Sequence, residues 1–569
     1  MFLFPWSNFH ELNLDWIIKI VTQLIKEWNS VHNEFQELET KYEELLKYVN
    51  DRLSEENLSP TLIEIINNMI KNGTFDAILE NIITYYVNVN KLGIFGDGTT
   101  DYTDKINSAI QTYSALYFPE GEYVISNEIV LKSNLILKGN NAVFKPTMSE
   151  ESNIQTFVAR NCDNIEIDGI SVEGGNAGFV FNYYSQYSEN KPVENYNKNI
   201  HIRNCHINVN YFAIMFLNIN GFSVKNVVIN NDVNKLNTDG IHMVACVNGV
   251  IENCSGHTGD DFISFIADEI YSKNLRHYGE MNTVQVNNCK INNAYRCFDF
   301  VSTTTKITNI EINNCELSAA NKGNVAFAGD SPTYEADVCF NDCTFVQNSS
   351  FAIILGQNNN NIKLSLNGCK FTQNFSQPVI GFDGNLYMNN CEIFGEKSNR
   401  IFVNNGGNLY LSFCYLSCGN SFSALTNFKD LFIEGCKIIS TNADGRIFNM
   451  SGECNGVRIN NTQFSKTLIY LLRGASLKIL QAFAASGGNY LIRGDSEAVG
   501  KTVVTGSATP LVTDAGFKDH VSPRSFEIAM NADITPSNND EKYCKADGNY
   551  RFYRYVNNMK LYTISGTEV

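Results

Sequence analysis

Several things are missing from this chain of 569 residues, and each absence narrows what it does. Positive charge is in short supply: 43 Lys and Arg face 60 Asp and Glu, for a formal net charge of -17. A basic surface that holds nucleic acid is therefore not expected. No run of residues reaches membrane-spanning length. The opening MFLFPWSNFHELNLDW has none of the basic start, apolar core and small-residue cleavage site of a secretory signal. The expectation is a chain made in a reducing cytoplasm that inserts in no membrane. Zinc-ligand spacing is absent, and Phe95-Gly-Asp-Gly98 lacks the lysine and helix start of a phosphate-cradling loop. No cofactor is expected. Helix-period patterning is nearly missing from the middle of the chain.

What fills that middle is a recurring Asn-Cys pair inside short alternating apolar runs, as in IHIRNCHINV, TVQVNNCKI, IEINNCELS and LYMNNCEIF. Cys289, Cys315, Cys343, Cys369, Cys391, Cys414 and Cys436 follow one another at intervals of 22 to 28 residues. Repetition at such a period is the mark of a solenoid, and the period-2 alternation of Ile, Val, Phe and Tyr makes its elements strands. The fold class is mainly β: a right-handed parallel β-helix whose coils stack at ~4.8 Å. Equivalent positions in consecutive coils then form ladders, and the Asn and Cys columns are two of them. One cysteine per coil at a stacked position is the spacing of small buried fillers, so the sixteen cysteines are expected as free thiols.

The ends differ from the middle. Ile17, Val21, Leu24, Trp28, Val31, Phe35, Leu38, Tyr42, Leu45 and Val49 keep a four-three spacing over more than four heptads, a coiled-coil seam whose bulky and β-branched choices favour three strands. Residues 1–58 are thus a terminal segment and α-helical coiled-coil stalk. Residues 59–92 form a short helical neck, with Ser59 as N-cap and Pro60 at the first helical position. Residues 93–122 lead into the β-helix through an amphipathic helix carrying Ile106, Ala109, Ile110 and Tyr113 on one face. Such a helix would cover the open strand edges of a solenoid end. The β-helix follows over 123–470, and 471–569, where the Asn-Cys pattern stops, is a small C-terminal β-rich module.

One polar cluster stands out by its phase. Asp239 and Asp261 are one coil apart, Asp261 lies seven residues after Cys254, and Arg296 lies seven after Cys289. The three should stack. The same offset gives Phe212 after Cys205, so the charged stack stops on that side. Stacked carboxylates repel, which raises at least one pKa, while Arg296 stabilises an ionised partner; Asp260 adds a third carboxyl. One carboxylic acid and one carboxylate are what inverting glycoside hydrolysis needs, commonly ~6.5–9.5 Å apart. The blander reading is that these acids hold turns through backbone amides. Clustered carboxylates also suit Ca²⁺, although no metal is expected here. His242 and His257 flank the cluster and are given no role.

Phe95-Gly-Asp-Gly-Thr-Thr-Asp101 with Tyr117-Phe-Pro-Glu-Gly-Glu-Tyr123 resembles the entry to the pectate-lyase-type β-helix of bacteriophage tail spikes and appendages. Phe4-Pro-Trp6 and Leu12-Asn-Leu-Asp-Trp16 are similar to the virion-attachment end of tail appendage proteins of short-tailed phages. The resemblance covers roughly residues 1–470. It implies a homotrimeric virion tail protein assembled in the host cytoplasm, attached through its N-terminus to a phage tail or collar protein and adhering to a host-surface polysaccharide or teichoic acid. Asn237-Thr-Asp-Gly240 and Gly259-Asp-Asp261 look like polygalacturonase-type glycoside hydrolase motifs. By that likeness Asp260 is the general acid, Asp239 and Asp261 activate water, and Arg296 and His277 bind substrate. The family's Gly-His-Gly is only loosely echoed by Arg276-His-Tyr-Gly279, and its Arg-Ile-Lys clamp is reduced to Arg296-Cys-Phe298. A neutral or amino sugar, or a phosphate-linked wall polymer, is then as plausible as a uronic acid. The contrasting function is a non-enzymatic virion adhesin.

Overall fold

The computed structural model describes most of residues 86–509, apart from short segments between strands, and further strands at 527–528, 545–546, 549–556 and 558–565. The expected attachment segment, the coiled-coil stalk and most of the helical neck lie outside the described residues. No described helix is long and apolar enough to cross a membrane.

The described chain is mainly β, a parallel β-solenoid of the right-handed type. Each coil uses two strands separated by a bend and then a third. Asn197–Arg203 and His206–Asn208 lead to Ile214–Leu217, and Ile219–Lys225 and Val228–Asn230 lead to Ile241–Val244. Val247–Glu252 and Ser255–His257 lead to Asp261–Ile266, and Met281–Asn287 and Lys290–Ala294 to Arg296–Val301. Each strand pairs in parallel with its counterpart one coil away: Ile202 faces Val224, Val224 faces Ile251, Ile251 faces Val286, and Val286 faces Ile312. First and second strands build one long sheet and the third strands another.

The Asn-Cys pair makes the bend. Asn204, Asn253, Asn288, Asn314 and Asn390 have φ of 52 to 55°, the left-handed conformation that asparagine tolerates best after glycine. Asp342 and the glycines 368 and 435 occupy the same position in other coils, at φ of 53, 62 and 61°. The turned asparagines bond one another along the axis: Asn226 Nδ2 donates to Asn204 Oδ1 at 3.1 Å and Asn314 Nδ2 to Asn288 Oδ1 at 2.9 Å. The following cysteine then points inward. The described cysteines are all free, and all but Cys339 are buried. Burial pushes the Cys205 and Cys246 thiols up to about 12.

Inward-facing side chains fill a single elongated core. Phe265, Phe300 and Phe327 stack at 4.8 Å per step, and Phe345 lies over Phe371 at 4.5 Å, so aromatic ladders continue from coil to coil. Near its beginning, the Thr103–Thr112 helix buries Ile106, Ala109 and Ile110 against this core, with Tyr113 packed beside them. Asp97 precedes it. Its carboxylate accepts the Thr99 and Thr100 amides, which hold it well below the usual carboxylate range.

Parallel pairing does not stop where the Asn-Cys punctuation does. Ser476–Gly487 pairs with Glu453–Asn460, Val503–Thr509 pairs with Ser476–Gly487, and Glu527–Ile528 continues the ladder. Beyond these, Lys545–Ala546, Asn549–Val556 and Asn558–Ser565 form a small antiparallel sheet.

Candidate functional site

The third strands of three consecutive coils carry the polar cluster on the outer face of their sheet. Registers place Asp261 opposite Arg296, His242 opposite Ser264, and Ser264 opposite Asp299. Three coils therefore contribute three pairs with the same internal offset: Asp239 with His242, Asp261 with Ser264, and Arg296 with Asp299. The flanking coils supply Met215 beside His242 and Ala326 beside Asp299. A two-by-three polar grid is set into an otherwise apolar face.

Local bonding fixes the grid. Asn231 is fully buried; its Nδ2 donates to the carbonyls of Tyr211 and Asp239 at 3.3 and 3.1 Å, while its Oδ1 accepts the Val209 amide. Thr238 Oγ1 donates to the Lys235 carbonyl at 2.9 Å and accepts the Gly259 amide at 2.8 Å. A Cβ at 259 would fall 2.1 Å from the Lys235 oxygen, so only glycine lets the two motif turns approach this closely. Asp260 and Asp261 follow directly, and the Asp261 carbonyl accepts the Gly240 amide at 2.9 Å.

Three of the expected site carboxylates come together. Oxygens of Asp239, Asp260 and Asp261 lie within 4.8 Å of one another. That is closer than the ~6.5–9.5 Å usual for an inverting pair, because stacking on neighbouring coils brings them to about strand spacing. Asp239 is 6 % exposed and its Oδ2 lies 2.6 Å from His242 Nδ1, with Ser264 Oγ at 3.5 Å. His242 in turn packs on the Phe212 ring at 4.6 Å. Asp260 is the more exposed carboxyl; its Oδ2 accepts the Asn237 amide at 3.0 Å. Burial and the Asp239 charge raise the Asp260 pKa, against the lowering effect of that amide and of Arg296.

Arg296 reaches Asp261 as its position requires. Nη1 donates to both Asp261 oxygens at 3.2 Å and to Asp299 Oδ2 at 2.9 Å. Burial raises Asp261 well above the carboxylate range, reinforced by the charges of Asp299 and Asp239. Asp299 is raised to about 6, again chiefly by burial, with Arg296 opposing. The three clustered acids are close enough to share one cation, but Asp261 is already bonded to Arg296 and Asp239 to His242. His277 sits in Leu275–Tyr278, which pairs with Asp268–Tyr271 in a small separate sheet; its side chain is outside the described residues.

Sequence reasoning passed over His242, Ser264 and Asp299. The signal that reaches them is the one used for the first column: each lies three residues after a member of the Asp239, Asp261 and Arg296 stack, which in a solenoid makes a second column.

Chemically, the arrangement offers a partly exposed carboxyl biased toward its protonated form, a buried carboxyl bonded to histidine, and a guanidinium seated on two further carboxyls. That is an acid-base pair with a rigid floor.

The match to a family model agrees with the fold. Residues 86–321 match the family model described as rhamnogalacturonase A/epimerase, pectate lyase-like. The chain is 29% identical over 171 residues to the preneck appendage proteins of Bacillus phages PZA and phi29. That stretch is 29% of this chain and 18% of each relative, so the chain spans less than a fifth of the length of the curated relatives it matches. Among solved structures it is similar to the N-terminal fragment of phage phi29 gene product 12, with a TM-score of 0.41 and 13% identity, covering 81% of this chain and 94% of that one. A family 28 exopolygalacturonase of Yersinia enterocolitica gives a TM-score of 0.36 at 13% identity, over 71% and 78% of the two chains. At those TM-scores neither structure assigns a role to a residue here.

Proposed function

We propose that this chain, a β-solenoid with a pectate-lyase-like domain and sequence similarity to phage preneck appendage proteins, is a tail appendage of a virion that binds a host-surface polysaccharide or teichoic acid and cleaves it at the carboxylate grid. The observation that carries the reading is the different surroundings of two neighbouring carboxyls. Asp260 is partly exposed and biased toward its protonated form, while Asp239 is buried against His242. Asp260 is the general acid at the leaving oxygen, and Asp239 faces the attacking water. Arg296 and His277 bind the sugar. The protein works as a homotrimer joined by the heptad seam of residues 17–52, its N-terminal segment attaching to the phage tail or collar, and it needs no cofactor. The chain divides into that segment and stalk, a neck, the solenoid and a C-terminal module.

A second reading, a virion adhesin without hydrolysis, draws support from the bonds that tie the acids into the turns: Asn237 amide to Asp260, and Arg296 to Asp261 and Asp299. Reducing-end release from purified host envelope separates the two. Release by the wild type that Asp260→Asn lowers by ~100-fold or more supports the depolymerase. Tight adhesion without release by either protein overturns it in favour of the adhesin.

A further inference from the structure

We propose that Asp261 and Asp299 hold a single proton between them beneath Arg296, so that they position the guanidinium and leave Asp260 and Asp239 as the acting pair. The inference rests on the functional reading above only for its last clause; the shared proton follows from the geometry. Asp261 lies at the start of one strand and Asp299 within the next, joined through one nitrogen: Arg296 Nη1 touches both oxygens of Asp261 at 3.2 Å and Oδ2 of Asp299 at 2.9 Å. Both residues are less than a tenth exposed. One positive charge therefore stands against two buried carboxyls. Were both ionised, a negative charge would remain uncompensated in a site from which water is largely excluded.

Two further observations agree. Asp299 Oδ1 is buried without a hydrogen-bond partner among the described residues, a poor arrangement for an ionised oxygen. The neighbouring charges also oppose double ionisation. Asp239 and Asp260 press both groups toward the protonated state, Arg296 opposes it at both, a hydrogen bond from Asp261 favours the ionised form of Asp299, and His242 is engaged with Asp239. Interacting carboxyls of this kind titrate as a pair. With one proton shared, Asp261, Asp299 and Arg296 form an electrically neutral floor. All of Arg296's hydrogen bonds among the described residues leave from Nη1. Asp261 then does not activate water.

The test has one readout that needs no activity. Asp299 is raised to about 6 in the folded chain against ~3.9 in an unfolded one. The native state binds the extra proton, so stability is lost as pH rises between those values. Asp299→Asn, which mimics the protonated acid, removes that loss. Its melting temperature relative to wild type should climb from pH 4.5 to pH 7.5. Parallel melting curves for the two proteins across that range would overturn the shared proton. Should Asp299→Asn not fold, Asp261→Asn takes the same measurement, since either carboxyl can be the protonated one. The second readout is saccharide release at pH 7. Asp261→Asn should retain at least ~tenfold more release than Asp260→Asn; equal losses would restore Asp261 to the acting pair. If the wild type releases nothing, the proposed hydrolysis fails, while the melting curves still decide the proton.

Discussion

Replacing Asn288 by aspartate, glycine or valine asks why the Asn-Cys pair recurs. Asn288 is exposed and sits at φ 55°, and its Oδ1 accepts from Asn314 Nδ2 at 2.9 Å. Aspartate tolerates the left-handed conformation, as Asp342 does in its own coil, and keeps an acceptor for Asn314; a loss under about 0.5 kcal/mol is expected. Glycine removes the conformational cost but also the ladder bond, worth ~0.5–1 kcal/mol at an exposed site, and adds about 0.5 kcal/mol of unfolded-chain entropy. The expected loss is about 1 kcal/mol. Valine forfeits the same bond and pays ~1–2 kcal/mol for a β-branched residue in the left-handed region, for about 1.5–3 kcal/mol in total. Cys289 stays buried in every case, so the core is not the variable. Urea midpoints after full equilibration, read by far-ultraviolet circular dichroism at fixed protein concentration, give the ranking. A valine variant no less stable than the glycine variant would refute the claim that backbone conformation selects asparagine.

Other consequences can be checked on the same material. Arg296→Met leaves Asp261 and Asp299 without their counter-charge and should cost about 3–5 kcal/mol at pH 8. The loss should shrink at pH 5, because added protons then supply the missing neutralisation; equal losses at both pH values would count against the arrangement. The raised Asp260 pKa means saccharide release should fall as pH rises through that value, since an acid must be protonated to donate, and a pH-rate profile flat across pH 4–8 would contradict this. The buried cysteines, with Cys205 and Cys246 pushed up to about 12, should resist iodoacetamide in the native protein at pH 8 and react in urea, as mass spectrometry of tryptic peptides would report. Rapid native alkylation at either would place it outside the core.

Much of this was legible because a solenoid turns sequence spacing into spatial neighbourhood. Counting seven residues on from Cys254 and Cys289 brought Asp261 and Arg296 together. Phe212, at the same offset from Cys205, marks the end of the charged stack on that side. The same counting was not carried to His242, Ser264 and Asp299, because an isolated histidine or serine beside a turn has many ordinary reasons to be there. Between Cys254 and Cys289 the interval lengthens to 35 residues, and the strands Asp268–Tyr271 and Leu275–Tyr278 account for the excess by leaving the coil. After residue 470 the ladders run on without asparagine and cysteine, carried by Ile479, Leu480, Val503 and Val504. A motif can end where its sheet does not. The close approach of the carboxyls was also hidden, since spacing in sequence says which residues stack but not how near their oxygens come.

The most direct test of the site is where a substrate lies. A crystal structure of Asp260→Asn soaked with an oligosaccharide prepared from host envelope should show one glycosidic oxygen beside residue 260, with Asp239 near the anomeric carbon and Arg296 on a sugar oxygen. An oligosaccharide bound with full occupancy elsewhere on the solenoid, and the grid left clear of it, would contradict the account and make these carboxylates part of the turns.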